Sequence, residues 1–287
     1  MLLPSVVVLG TFIVYPLARA VWRGQQRCDA FGRRCTSNGP AQYVDVFRSV
    51  EFQDALGVTV RFALLSVPLG LVLGVGLAVL ADTHLRGSGL FRTIFSSTIA
   101  TSVAVASLMW LFLLQPSVGV LSNVGWFQSI FPSVKDPGWL SDSGTALVAV
   151  ALSSVWAGLG FTFVLVSASL QSIPRELHEA AAVDGAGRSA RFWRVTLPLL
   201  APTLVFVLVV LTTRAFQTYG EIDLLTNGGP RPGSSTTTLT YFVYGSTSPI
   251  GNDAGLQAAS AVLLFLILLG LSALQLRFLG RRTNLGV

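Results

Sequence analysis

Charge is what this sequence has least of: only 11% of its 287 residues are Asp, Glu, Lys or Arg, while 52% are hydrophobic. A soluble domain carries about a quarter charged residues, so water is excluded as the main solvent. Roughly 20 mostly apolar residues cross a bilayer core as a helix. Six segments reach that length, at about 2–21, 58–81, 93–114, 146–170, 199–218 and 256–278. None contains an Asp or Glu, which excludes a buried acidic proton relay. Their arginines, Arg19, Arg61, Arg214 and Arg277, lie toward span ends where long side chains snorkel. Lysine is nearly absent as well. The single one, Lys135, precedes Asp136 rather than the Ser or Thr of a phosphate-binding P-loop, so the sequence cannot hydrolyse ATP by that chemistry. The two histidines, His84 and His178, sit in different loops without ligand-spaced partners, which argues against a metal site. Loops of at most a few tens of residues leave no room for a soluble catalytic domain. Ser153 and Ser154 have no His or acid in their span, which disfavours a membrane-embedded enzyme. There is no fixed-period repeat.

The charge that is present is arginine, eighteen against one lysine, with a net charge of +6. These arginines flank apolar spans instead of forming a stripe interleaved with aromatics, so anionic lipid headgroups are the expected partner and nucleic acid is not. Orientation follows the Lys/Arg bias of short loops. One side carries Arg86 and Arg92, then Arg175, Arg188, Arg191 and Arg194, then Arg281 and Arg282 in the tail; the other carries Lys135 and Arg231. The first side is assigned to the cytoplasm, with both termini there. The loop at about 22–57 disagrees, with Arg23, Arg27, Arg33, Arg34 and Arg48 on the outer side, and is outvoted by two later loops and the tail. The only cysteines, Cys28 and Cys35, lie in this same loop. Two readings stay open for them, a short disulfide on an oxidising exterior or two free thiols. The start, Met1-Leu2-Leu3-Pro4, lacks a small-residue cleavage site before the next charges, so the first segment is expected to be a retained span.

Two loops carry local signals. Residues 115–143 hold Val120-Leu121 and Trp126-Phe127 among Gly119, Gly125, Pro132, Pro137 and Gly138, the pattern of a short interfacial helix between turns. Residues 171–198 read as two short helices. Pro174 suits a first helical position, Glu176 and Glu179 lie toward the positive end of the dipole, and Gly185 can take the left-handed turn that stops the helix. A second helix from about Ser189 leads into Pro198. The adjacent small residues Ala180, Ala181 and Ala182 suit close approach by another protein better than a solvated face.

Glu179-Ala180-Ala181, three residues, Gly185, nine residues, Val195, one residue and Leu197-Pro198 together resemble the EAA loop of binding-protein-dependent ABC import permeases. The departure is Val195 where that family usually has Ile. Leu225-Thr226-Asn227-Gly228-Gly229-Pro230 resembles the sugar and glycerol-phosphate branch, in its MalF/UgpA-like subunit type.

The resemblance implies an all-α polytopic membrane protein with six transmembrane helices. It would be a single permease domain over 1–287 with a cytoplasmic coupling loop at about 171–198. It implies a non-catalytic importer subunit for a carbohydrate or glycerol-phosphate-type solute, working by alternating access with a second, related permease subunit, two ATPase subunits and an external solute-binding protein. No cofactor is expected on this chain, ATP and Mg belonging to the ATPase partner. Glu179, Ala180, Ala181, Asp184, Gly185, Leu197 and Pro198 would couple to that ATPase. By alignment through the loop, Ser154, Gly158 and Phe161 form one face of the solute path and Leu211, Ala215 and Thr218 another, at helical i, i+3/i+4 spacing. Arg214 has two readings: a structural arginine, snorkelling or paired with Glu221, or a contact for an anionic head of the solute. A secondary transporter shares the hydropathy, but the acid-free spans offer it no proton-coupling group.

Overall fold

The computed structural model describes residues 3–28, 35–82, 88–125, 138–230, 234–248, 250–251 and 253–283. Among these, five helices are long and apolar enough to cross a membrane: Leu3–Arg23, Val50–Asp82, Ala146–Gln171, Arg188–Phe216 and Ala254–Arg277. We number them spans 1, 2, 4, 5 and 6. Span 3 corrects the continuous helix expected over 93–114. It is a pair of helices, Gly89–Ala100 and Val103–Leu114, bent by 106°. Hydroxyl residues cause the break by competing for the backbone. Ser97 and Thr98 donate to the carbonyls of Ile94 and Phe95, at 2.7 and 2.9 Å. Thr101 is extended, and the Ser102 hydroxyl caps the second half by accepting from Val105 N.

Two further departures follow from proline. Spans 1 and 5 each contain a widened π turn, Gly10–Val14 and Phe192–Thr196, two residues before Pro16 and Pro198. Proline lacks the donor for the carbonyl four residues back and its ring crowds that carbonyl, so the helix opens there. Span 5 therefore runs back to Arg188 instead of starting near 199, and it ends at Phe216 rather than 218.

Spans 2 and 4 form the centre of the bundle through small residues. A Cβ at Gly74 would overlap the Thr162 side chain, and one at Gly160 would overlap Thr98 and the Ile99 amide. Gly160 thus lets the break of span 3 seat directly on span 4. Phe62, Val67, Val150, Ile222 and Tyr241 pack beside this seam. Span 1 has no buried residue.

The loop at 22–57 is structured at both ends. Strands β1 (Gln26–Cys28) and β2 (Cys35–Ser37) pair antiparallel with Cys28 opposite Cys35, and the two cysteines form a disulfide. Of the two readings of these thiols, the structure has the bridge. Asp253 Oδ1 accepts from Cys28 N and from the Gly255 and Leu256 amides, so one carboxylate both caps span 6 and holds the hairpin. In the 115–143 loop a helix covers Val120–Asn123. Trp126, Phe127, Pro132, Lys135 and Pro137 lie outside the described residues, as do His84, Arg86, Arg231, Arg33 and Arg34; of Arg281 and Arg282 only the backbone is described.

After span 5 the chain leaves helical geometry next to buried surface, where its backbone groups must find partners within the protein. Asn227, Gly228 and Gly229 take positive φ in succession. A threonine set ties the return: Thr237 donates to the Gly228 carbonyl, Thr238 to that of Thr218 and Thr240 to that of Phe216, at 2.8, 3.0 and 2.7 Å. The Tyr241 hydroxyl donates to Asn227 Oδ1 at 2.8 Å.

Candidate functional site

Segments far apart in sequence enclose a cavity of about 470 Å3. Span 2 brings Ser66 and Gly70, and the break of span 3 brings Thr101 and Val103. Span 4 brings Ser154, Gly158 and Phe161. Span 5 and the turn after it bring Leu211, Arg214, Ala215, Thr218 and Glu221. The structure thus gathers the six residues expected on the two faces, and Arg214 with them, around one space. Thr218 reaches it differently from expectation. The helix stops at Phe216 with Gln217 as its C-cap, and Thr218 lies in the following turn with its hydroxyl donating to the Arg214 carbonyl at 3.0 Å.

Gly158 and Leu211 face each other across the seam between spans 4 and 5: a Cβ on Gly158 would stand 3.8 Å from Leu211 Cδ2. Arg214 is exposed on the cavity wall, with Cζ 5.6 Å from the centre of the Phe161 ring. At that distance the ring face attracts the cation. Among the described residues no carboxylate comes within 4.0 Å of Arg214, so the direct pair with Glu221 is not formed. The reason lies in the backbone: the chain leaves the helix between the two residues, so their spacing of seven is not two turns of one helix. Glu221 is 9% exposed in the short helix Gly220–Leu225. Burial pushes its carboxyl above the ordinary carboxylate range, against its own backbone hydrogen bond, the Arg214 charge and the Ser154 hydroxyl. The wall thus offers one cation, one buried carboxyl and several hydroxyls, a lining suited to a small polar solute.

Ser66, Gly70, Thr101 and Val103 were not foreseen. The hydroxyl cluster at 96–98 and 101–102 inside an apolar run was the signal for the last two, since it marks where the backbone can leave helical geometry.

The coupling loop forms a helix over Arg175–Val183. Pro174 is its N-cap, one residue earlier than expected, because it keeps an extended ψ of 134°. At the other end Asp184 is the C-cap and Gly185 has φ +78°. Ala186 N donates to the Ala181 carbonyl at 2.9 Å and Gly185 N to that of Ala182 at 3.1 Å, the paired bonds of a Schellman stop. Glu179, Ala180, Asp184 and Gly185 are exposed and Ala181 is half-buried. Leu177, Val183 and Trp193 are also exposed, Val183 by 88%. Leu197 and Pro198 stand apart from this helix, beyond the π turn within span 5. Among the described residues no three His, Cys, Asp or Glu side chains converge as a metal site.

With this geometry in hand, residues 47–284 match the family described as binding-protein-dependent transport system inner membrane component. The chain is 36% identical over 284 residues to the sn-glycerol-3-phosphate transport system permease protein UgpA of Agrobacterium fabrum, covering 99% of this chain and 94% of the relative. It is 35% identical over 287 residues to the protein of that name from Pectobacterium atrosepticum, with the same coverage. Among solved structures it resembles a bacterial ABC transporter involved in the import of the acidic polysaccharide alginate, with a TM-score of 0.79 at 23% identity, over 98% of this chain and 94% of that one. The MetNI methionine ABC transporter matches at a TM-score of 0.56 and 17% identity, over 81% of this chain and 96% of that one. These likenesses at low identity concern the fold.

Proposed function

Because the chain belongs to the family of binding-protein-dependent transport system inner membrane components, and is thereby a permease subunit of an ABC importer, we propose that it imports a phosphorylated polyol of the glycerol-phosphate class. The observation that carries this reading is the near full-length likeness to sn-glycerol-3-phosphate permeases. Arg214 supports it from this chain: an exposed guanidinium on a hydroxyl-lined wall, with no carboxylate of the described residues within ion-pair distance, is suited to a phosphate. Ser154, Gly158, Phe161, Leu211, Arg214, Ala215 and Thr218 form the solute path in this reading. Glu179, Ala180, Ala181, Asp184 and Gly185 dock the ATPase, with Leu197 and Pro198 carrying its motion into span 5. The chain acts as one permease domain beside a second permease subunit, two ATPase subunits that bind ATP and Mg, and an external solute-binding protein. ATP drives the switch only by binding one arrangement of the ATPase pair better than the other.

Two measurements test the proposal. In proteoliposomes holding the assembled importer, Arg214→Gln is expected to lower ATP-dependent uptake of glycerol 3-phosphate by about tenfold or more, the worth of a charge-assisted hydrogen bond, and to spare an unphosphorylated polyol. Equal losses for both solutes would remove Arg214 from solute recognition. Uptake that persists without ATP would refute the importer mechanism itself.

The disulfide bears on orientation. Such bonds persist on an oxidising face, which supports the reading with the 22–57 loop outside and both termini in the cytoplasm. After mild reduction, a membrane-impermeant maleimide should label Cys28 and Cys35 in intact cells. Labelling confined to inside-out vesicles would invert the topology.

A further inference from the structure

A second cavity, of about 210 Å3, lies at the opposite end of the bundle from the disulfide, between the coupling helix and the ends of spans 2, 4 and 5. Three basic side chains reach into its lining: His178 from the coupling helix, and Arg188 and Arg191 from the first turn of span 5. The one carboxylate there, Asp82, is engaged by Arg92 at 3.5 Å. Among the described residues neither Arg188 nor Arg191 has a carboxylate within 4.0 Å. Arg191 Nε is buried and has no hydrogen-bond partner among the described residues.

This arrangement opposes the local electrostatics. The first turn of a helix carries the positive end of its dipole and favours anions. Span 5 starts instead with Arg188 and Arg191, has no acidic residue in that turn, and its N-cap Gly187 supplies no side-chain acceptor. Clustered cations and an orphaned buried guanidinium donor beside a helix start are relieved together by a ligand with several anionic oxygens. The other wall is apolar, made of Val79, Leu170 and Phe192. A free anion would leave that wall unused; an amphiphile with a phosphate next to hydrocarbon covers both.

We propose that this pocket binds the phosphate of an anionic phospholipid from the cytoplasmic leaflet, with the start of the lipid's apolar part along Val79, Leu170 and Phe192. Basic pockets between helices on the cytoplasmic side are suited to such headgroups. The bound lipid ties His178 of the coupling helix to the root of span 5, so the stiffness of the ATPase connection depends on leaflet composition. The proposal rests on the cytoplasmic placement of this loop, which the maleimide experiment examines independently of lipid.

The test uses the whole importer in nanodiscs of phosphatidylglycerol and phosphatidylcholine, with retained lipid counted by native mass spectrometry. The wild type is expected to retain phosphatidylglycerol preferentially. The double variant Arg188→Gln/Arg191→Gln should lose that preference by roughly thirtyfold, from about one surface-arginine contribution per residue. Arg188→Lys/Arg191→Lys should keep most of it, which separates charge from folding, and Arg48→Gln on the far side should change nothing. An unchanged preference in the Gln pair would overturn the site. Inorganic phosphate supplies the remaining arm: if it raises the thermal stability of the importer in pure phosphatidylcholine discs, and the Gln pair abolishes the rise, the occupant is soluble phosphate and the lipid assignment falls. Labelling of Cys28 and Cys35 confined to inside-out vesicles, with the lipid preference intact, would refute the leaflet and leave the pocket.

Discussion

Solute uptake is expected to be abolished by Gly158→Trp and by Ala215→Trp, while the ATPase subunits still co-purify with both variants. Gly158 and Ala215 both line the cavity between spans 4 and 5. A methyl group at 158 would meet Leu211 at ordinary contact distance, 3.8 Å, so Gly158→Ala should transport at close to the normal rate. An indole has no such room and must project into the cavity. Ala215 is only 3% exposed and packs with Val67 and Val150, so Trp there also strains the core, by about 1–3 kcal/mol on the scale of overpacking. A gentler variant removes that ambiguity. Both native cysteines are engaged in the disulfide, so Ser154→Cys would introduce the one reactive thiol. A bulky methanethiosulfonate added after assembly should then block uptake, and solute should slow the modification. Normal uptake by both Trp variants, or unchanged uptake by the fully modified Cys variant, would take these residues out of the pathway.

Coupling should fail without loss of the permease from the membrane in Glu179→Lys and Gly185→Val. At φ +78° a side chain at 185 is strained whatever space surrounds it, and nothing lies within 4 Å of a Cβ there. The penalty is therefore conformational, about 1–2 kcal/mol and more for a branched Cβ, and falls on the Schellman stop that aims the helix. Asn tolerates this region, so Gly185→Asn should recover much of the activity that Val loses. Glu179 is exposed in the chain alone, and the demand on it comes from the partner. A buried charge left without its mate costs about 2–5 kcal/mol, or roughly thirtyfold or more in ATPase affinity. Solute-stimulated hydrolysis and pull-down of the ATPase read both effects. A Val variant that coupled normally would show that the turn does not matter, and a Lys variant that bound the ATPase as before would show that Glu179 faces elsewhere.

Much of this site could be read from residues in a line. The stop at Gly185 was legible because a left-handed backbone after a helix leaves few residue choices, and the surrounding EAA-like spacing fixes its place in a motif. Ser154, Gly158 and Phe161 share a face because span 4 is an unbroken helix through them, so the i, i+4, i+7 arithmetic holds. The same arithmetic misplaced Thr218 and the Arg214–Glu221 pair, because the chain leaves helical geometry after Phe216.

Single-chain chemistry set out what local stretches of this protein could be: apolar runs of bilayer length, spans without acids, no P-loop lysine, and a helix stopped at a glycine turn. These are local properties, set by side-chain hydration and backbone preference over a few residues. Tertiary structure alone decided which side chains meet. It bent span 3 and seated the break on Gly160, brought Cys28 opposite Cys35 on a hairpin held by Asp253, and left Arg214 against Phe161 and away from Glu221. Each of these depends on distances between segments far apart in the chain, and those distances follow from how closely small residues let helices approach, which no stretch of sequence states by itself.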